Sequence, residues 1–166
     1  MPDPPSDPDI RPAQEKELLE LHRLDNEVFE FSPFPYFVLR QHFDAHGDHL
    51  LVRYEGESLQ GYVLFATSSD HSVSWCLSLA VAQDRRGRGL GRKLMLEVLR
   101  RLRRDGVHEA RLAVEPANTT AITLYRSLGF LPEEGVRKDY FGPGEDRLIM
   151  ALELRVRGTP NPPGRP

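Results

Sequence analysis

"LAVAQDRRGRGLGRKLM", Leu79 to Met95, sets three glycines, Gly87, Gly89 and Gly91, among basic residues at positions 85, 86, 88, 92 and 93. Its flanks decide how it is read. Upstream, Val73–Val81 is rich in β-branched, aromatic and leucine residues and predicts a mostly buried strand. Downstream, Leu90, Leu94, Met95, Val98, Leu99 and Leu102 share one face of a 3.6-period helix. The order is therefore strand, glycine turn, amphipathic helix. A helix N-terminus offers unpaired N–H groups and partial positive charge, which suit an anion. Glycines let the backbone approach that anion closely. A phosphate cradle fits this context better than a nucleic-acid arm or a solvated loop.

Two phosphate motifs are excluded by spacing. G-x-G-x-x-G starting at Gly87 needs glycine at position 92, which is Arg92, and G-x-x-x-x-G-K-[ST] fails at the same residue. What fits is Arg86-x-x-Gly89-x-Gly91. This resembles the cofactor-binding motif R/Q-x-x-G-x-G/A of the GNAT superfamily of N-acetyltransferases. "EPANTTAITLYRSLGF", residues 115–130, resembles that superfamily's second block, N-x-x-A-x-x-x-Y-x-x-x-G-F, at Asn118, Ala121, Tyr125, Gly129 and Phe130. Local physics agrees with the second block. Asn118 is a good helix N-cap, Ala121, Leu124, Tyr125 and Leu128 form an inward stripe, and Gly129 suits a helix end. The resemblance spans roughly residues 9 to 155.

The resemblance implies an α/β GNAT fold, with a mixed central sheet whose fourth and fifth strands splay apart between flanking helices. It implies acetyl-CoA as cosubstrate. The pantetheine chain would run along Leu79, Ala80 and Val81. The pyrophosphate would rest on the amides of Arg86, Gly87, Arg88, Gly89, Leu90, Gly91 and Arg92, with the arginines adding charge-assisted contacts. Asn118 matches a cofactor contact. The Val81 N–H would bind the oxyanion, and Tyr125 would protonate the departing thiolate. Without the motif, Tyr125 reads as a core tyrosine and Asn118 as a cap alone.

Within the superfamily the chain resembles the N-terminal acetyltransferases of ribosomal proteins, through "LYRSLGF", "RKDYFGPGEDRLIMAL" and the aromatic "FSPFPYF". Phe34, Tyr36, Tyr140 and Phe141 would then grip an acceptor peptide; plain packing is the competing reading. Two departures stand out. The strand-five position that carries a general base in those enzymes is Ala113 here, which leaves Glu115, two residues on, as the remaining candidate. The aromatic pair is Tyr140-Phe141 instead of two tyrosines. At pH 7 an α-amine of pKa near 7.7–8.0 is roughly a tenth neutral, whereas a lysine near 10.4 is neutral about once in 2,500 molecules. Weak base provision thus favours a protein or peptide N-terminus. The alternatives are a small amine (antibiotic, amino acid or polyamine), a non-catalytic CoA-binding sensor module and, more remotely, a nucleic-acid-binding module.

The chain has 166 residues and a formal net charge of −3, which suits one domain of ordinary size and argues against nucleic acid as its main partner. No apolar stretch approaches transmembrane length, and with Cys76 as the one cysteine no disulfide framework exists. The expectation is a cytoplasmic monomer or homodimer with no membrane partner. "HFDAHGDH" spaces His42 and His46 four apart before Asp48 and His49, but Phe43 stands where a zinc-protease motif needs Glu, so no metal is expected. Arg100, Arg101, Arg103 and Arg104 read as a solvated face. Residues 1–8 and 156–166 are expected to be disordered around a 9–155 domain. Helices are expected over Ala13–Phe29, up to Gly47, and over Thr119–Leu128. Strands are expected at Ile10–Pro12, His49–Tyr54, Gly61–Thr67, Val73–Val81, Glu109–Glu115, Val136–Phe141 and Asp146–Leu154, with "EGES" as a hairpin turn.

Overall fold

The computed structural model describes residues 5–30 and 33–154. Its elements are β1 (Ile10–Pro12), α1 (Leu18–Val28), α2 (Tyr36–His46), β2 (Leu50–Glu55), β3 (Ser58–Thr67), β4 (Val73–Val81), α3 (Leu90–Arg104), β5 (Glu109–Val114), α4 (Thr119–Ser127), β6 (Leu131–Pro132) and β7 (Leu148–Glu153). The strands form one sheet in the order β1-β2-β3-β4-β5-β7-β6. β4 and β5 run parallel and the other described neighbours antiparallel, which makes the sheet mixed as expected. The helix α3 is the crossover that a parallel pair requires.

Strand alternation divides the core in two. Leu50, Val52, Tyr62, Leu64 and Ala80 pack with Leu18, Leu21 and Leu39 of α1 and α2. Leu51, Val63 and Phe65, with Ala110, Leu112 and Val114, pack with Leu94, Met95 and Val98 of α3, and α4 joins the same side through Ala121, Leu124 and Tyr125. The hairpin turn falls where "EGES" placed it: Glu55 pairs with Ser58, and Gly56 takes φ +59°.

Several expectations are corrected. Val136–Phe141 is not a strand; it contributes a single bridge, Arg137 to Arg147, and β7 instead pairs with the short β6. Turn chemistry prevails over the apolar pattern there. Asp139 has φ +55°, its N–H donates to Asp146 Oδ1 at 2.9 Å, and its own Oδ1 accepts the Gly144 N–H at 2.7 Å. The first helix is preceded by a separate 3₁₀ turn, Glu15–Glu17, because buried Glu17 accepts the Gln14 N–H at 2.8 Å and pairs with Arg11. On α3, Glu97 is buried and collects Arg100 at 2.6 Å and Arg101 at 2.9 Å, so those two arginines are not merely solvated. Burial opposes its charge, yet the two guanidinium groups hold its carboxyl below the ordinary range. Residues 1–4 and the tail 156–166 lie outside the described residues, whereas Asp7 accepts Arg53 Nε at 3.3 Å.

Gly61 marks the tightest approach of β3 to its neighbours. A Cβ there would lie 2.8 Å from the Ala80 carbonyl oxygen and 3.1 Å from Leu94 Cδ1. Gly61→Ala should therefore destabilise the fold by about 1–3 kcal/mol. Urea unfolding with an unchanged midpoint would show that β3 and β4 yield freely at this point.

Candidate active site

The site begins with an irregularity. β3 and β4 pair in one register from Gly61↔Val81 to Leu64↔Ser78 and in another from Phe65↔Cys76, so Leu77 is an extra residue, a β-bulge. β4 pairs with β5 only from Val73↔Glu109 to Cys76↔Leu112. Beyond the bulge the two parallel strands part. The Ala82 N–H donates to the Gln60 carbonyl at 2.8 Å. By the alternation of an antiparallel ladder, the N–H and C=O groups of Leu79 and Val81 then point away from β3, into the opening. The Val81 carbonyl accepts Arg86 Nε at 3.3 Å.

The glycine turn closes the same end of β4. Gly87 and Gly89 have φ +79° and +75°, a region in which glycine carries no Cβ penalty. Gly89 is the N-cap of α3, and the first helical bond runs from Lys93 N–H to the Gly89 carbonyl at 3.0 Å. The amides of Leu90, Gly91 and Arg92 therefore have no partner within the helix. Gly91 lies where α3 meets β4 and α4: a Cβ there would make ordinary van der Waals contact with Leu124, Leu79 and Val81 at 3.5–3.8 Å. The arginines diverge. Arg92 donates to Ser127 Oγ of α4 at 2.8 Å, while Arg88 lines a hollow of about 280 Å³ with Arg53, Arg85 and Lys93. Asn118 caps α4, its side chain accepting the Ala121 N–H at 3.1 Å.

Tyr125 projects from α4 into the α3–α4 core, 9% exposed and edge-on to Phe130 at 6.0 Å. Burial, and secondarily the Cys76 thiol, raise its pKa above the ordinary tyrosine value. It thus lies close to Cys76, the last residue of β4 paired with β5. Cys76 itself is pushed up to about 12 by burial and is a poor thiolate.

The opposite side carries the acceptor candidates. Glu115 lies just past β5, its side chain 64% exposed and 3.8 Å from Arg147. Arg147 also pairs with Glu145 at 3.0 Å and stacks over Phe141 at 4.7 Å. Tyr140 is 5.3 Å from Phe141, ring to ring, and lies under Arg137. The structure thus brings Glu115, Tyr140 and Phe141 into one cluster through Arg147, a residue that sequence reading missed. Phe34 and Tyr36 make different contacts: they meet His42 and His22 edge-on at 6.5 and 5.6 Å. Tyr36, Tyr140 and Phe141 are exposed, which plain packing does not explain. Another hollow, about 290 Å³ between Trp75 and Arg111, lies at the paired end of β4 and β5, away from their splay. His46 stacks on His49, and among the described residues no group of three or more His, Cys, Asp or Glu side chains is placed to hold a metal.

The acetyltransferase (GNAT) family pattern matches residues 15–130. The chain belongs to the acetyltransferase (GNAT) family. Members of that family transfer acetyl from acetyl-CoA to amines. The chain is 40% identical over 82 residues to the [ribosomal protein bS18]-alanine N-acetyltransferase of Salmonella typhimurium, covering 48% of this chain and only 55% of that relative. It is 33% identical over 125 residues to the L-amino acid N-acyltransferase MnaT of Escherichia coli, covering 69% of this chain and 70% of MnaT. The solved structure of yncA from Salmonella typhimurium, determined with its cofactor acetyl-CoA, shares the fold with a TM-score of 0.75 at 23% identity, over 92% of this chain and 97% of that one.

A Cβ at Gly89 would meet nothing within 4 Å, so Gly89→Ala carries only the backbone strain of a positive φ, about 1–2 kcal/mol. The variant should remain folded. If the turn cradles the pyrophosphate, Kd for acetyl-CoA should rise about tenfold or more as the turn relaxes. Calorimetry giving a wild-type Kd in the folded variant would move the phosphates elsewhere.

Proposed function

We propose that this chain transfers acetyl from acetyl-CoA to the α-amine of a protein or peptide N-terminus. The observation that carries the transfer chemistry is the opening between β4 and β5, with the Leu79 and Val81 amides turned into it beside a glycine turn and a helix N-terminus. A pantetheine amide chain can pair with those groups, and the turn can take its pyrophosphate on Gly87–Arg92. What supports a peptide acceptor is the pair Tyr140 and Phe141, held exposed on a loop that Asp139 and Asp146 lock by hydrogen bonds.

The neutral amine nitrogen attacks the thioester carbonyl carbon and a C–N bond forms. Negative charge gathers on the carbonyl oxygen, where the Val81 N–H can stabilise it. The C–S bond then breaks, the nitrogen gives up a proton, and the products are an amide and a free thiol. Tyr125 serves the sulfur. Its pKa is raised above 10, so it is protonated at neutral pH. Full proton transfer to a thiolate of ordinary pKa near 8.5 runs uphill, so the hydroxyl acts chiefly as a hydrogen-bond donor to the departing sulfur. On the acceptor side, Glu115, 3.8 Å from Arg147, is the carboxylate available to take the amine's proton, directly or through water. Fast turnover then depends on an acceptor that is already partly neutral, which an α-amine satisfies.

A second reading, a free amino acid or other small amine as acceptor, is favoured by the likeness to MnaT over 69% of this chain. A thiol-release screen across N-terminal peptides and small amines separates the two. Peptide turnover should fall when Tyr36 and Tyr140 are both replaced by alanine; small-amine turnover that survives the double replacement supports the second reading.

Tyr125→Phe keeps the ring and its packing on Phe130. The expected result is a fall in kcat of about 10²–10⁴-fold with Kd for acetyl-CoA near wild type. Wild-type kcat, measured where chemistry limits turnover, would remove Tyr125 from the reaction. Glu115→Gln should cost little with an α-amine acceptor and more with one of high pKa, and that deficit should shrink as pH rises because the neutral amine fraction grows.

A further inference from the structure

One fully buried carboxylate sits on the α1–α2 side of the sheet. Asp25, near the end of α1, is 0% exposed. Its Oδ2 accepts the Phe34 N–H at 2.6 Å, and its Oδ1 accepts the Tyr62 hydroxyl. Tyr62 has one hydroxyl proton. With that proton given to Asp25, the Ser78 hydroxyl, 2.8 Å away, is the donor to Tyr62. Tyr62 and Ser78 are themselves buried. A carboxylate this deep is costly, and burial raises its pKa in spite of both bonds. A helix meeting a sheet needs no such group, and apolar side chains fill comparable positions at lower cost.

What the carboxylate adds is connection. Its two oxygens accept from two segments at once. One is the chain entering α2, at Phe34. The other is β3, through Tyr62, and beyond it β4 at Ser78, between the Leu77 bulge and the Leu79–Val81 stretch. From these contacts we infer that Asp25 is a positioning residue for the acceptor amine. It fixes the entrance of α2 relative to the reactive end of β4. This rests on the reading of Phe34 and Tyr36 as a wall of the acceptor site. Asp25 holds that wall by its backbone, and His42 and His22 meet its rings edge-on. Tyr62 packs in the α1–α2 core, on the face of the sheet opposite the α3–α4 core where the cofactor turn lies. Loss of Asp25 should therefore fall on acceptor KM and spare acetyl-CoA.

Three variants test the assignment, with acceptor KM measured on whichever amine the thiol-release screen selects. A non-peptide acceptor would then sink the peptide reading and leave this one standing. Asp25→Ala should raise acceptor KM about tenfold or more, change kcat by less than about threefold, leave Kd for acetyl-CoA unaltered and remove hydrogen-exchange protection from the Phe34 amide. Asp25→Asn retains an oxygen for that amide and should restore most of the KM and the protection, a rescue that a general loss of stability would not follow. Should Asp25→Ala fail to fold, Tyr62→Phe decides. It cuts the link to β3 and β4 while leaving the Phe34 bond, and it should raise acceptor KM several-fold with protection at Phe34 intact. Wild-type acceptor KM in folded Asp25→Ala, or in Tyr62→Phe where the alanine variant does not fold, overturns the assignment.

Discussion

Everything in this site depends on one residue too many in β4. Leu77 has no partner on β3, and the register slip it causes ends the pairing of β4 with β5 at Cys76↔Leu112. An opening in the middle of a sheet leaves main-chain groups without their ladder bonds, which a protein interior ordinarily does not tolerate. Here the opening is kept because β3 holds β4 firmly on its other edge, through the Leu64↔Ser78 and Tyr62↔Ala80 pairs and the Ala82–Gln60 bond. The unpaired edge is thus rigid, and an amide-bearing ligand that fills it meets donors already in place. Preorganisation of this kind would lower the cost of binding and, on the proposed reading, aim the Val81 N–H before any charge develops.

The glycine turn and the opening act as one unit because α3 is pressed against the strand. Gly91, in the first turn of α3, lies beside Leu79, Val81 and Leu124, which puts the helix N-terminus at the end of β4. Arg92 then reaches across to Ser127 and joins α3 to α4, the helix that carries Tyr125. A phosphate on the turn and a thiol beside Tyr125 would be held by two helices locked to the same strand. Charge at one end of the cofactor would then be related to chemistry at the other through short contacts.

Much of this half of the site is legible in the sequence, because it is local. Glycines at 87, 89 and 91, an apolar strand before them and a periodic helix after them determine the turn with no need of distant residues. The bulge is not legible: "CLSL" reads as plain strand, and only the β3 register shows that Leu77 is supernumerary. Asp25 was missed for a related reason. A polar residue among the leucines of α1 looks solvent-facing until β3 supplies Tyr62 and the α2 entrance supplies the Phe34 amide. Arg147, buried between Glu115, Glu145 and Phe141, likewise has no local signature. The strand expected at Val136–Phe141 failed the other way, since side-chain bonds from Asp139 and Asp146 outweigh a short apolar pattern.

The two faces of the opening are unequal, and that inequality bears on the acceptor. α3 and α4 cover one face with a continuous apolar core. On the other face, the half-buried Ala113 is the first residue of β5 past its last pair with β4. On the proposed reading, a polar nucleophile would approach a carbonyl held in the opening from this second side, since the first is filled by the α3–α4 core. With alanine at 113, the wall nearest the splay supplies room instead of a proton acceptor, and the first carboxylate past it, Glu115, is shared with Arg147. On the proposed reading, a site with alanine at this position would give a lysine-like ammonium little help in losing its proton, and the acceptor's own pKa would count beside its shape. An amine that arrives already neutral would need no such help, and the exposed Tyr140 and Phe141 would be available to contact what is attached to it.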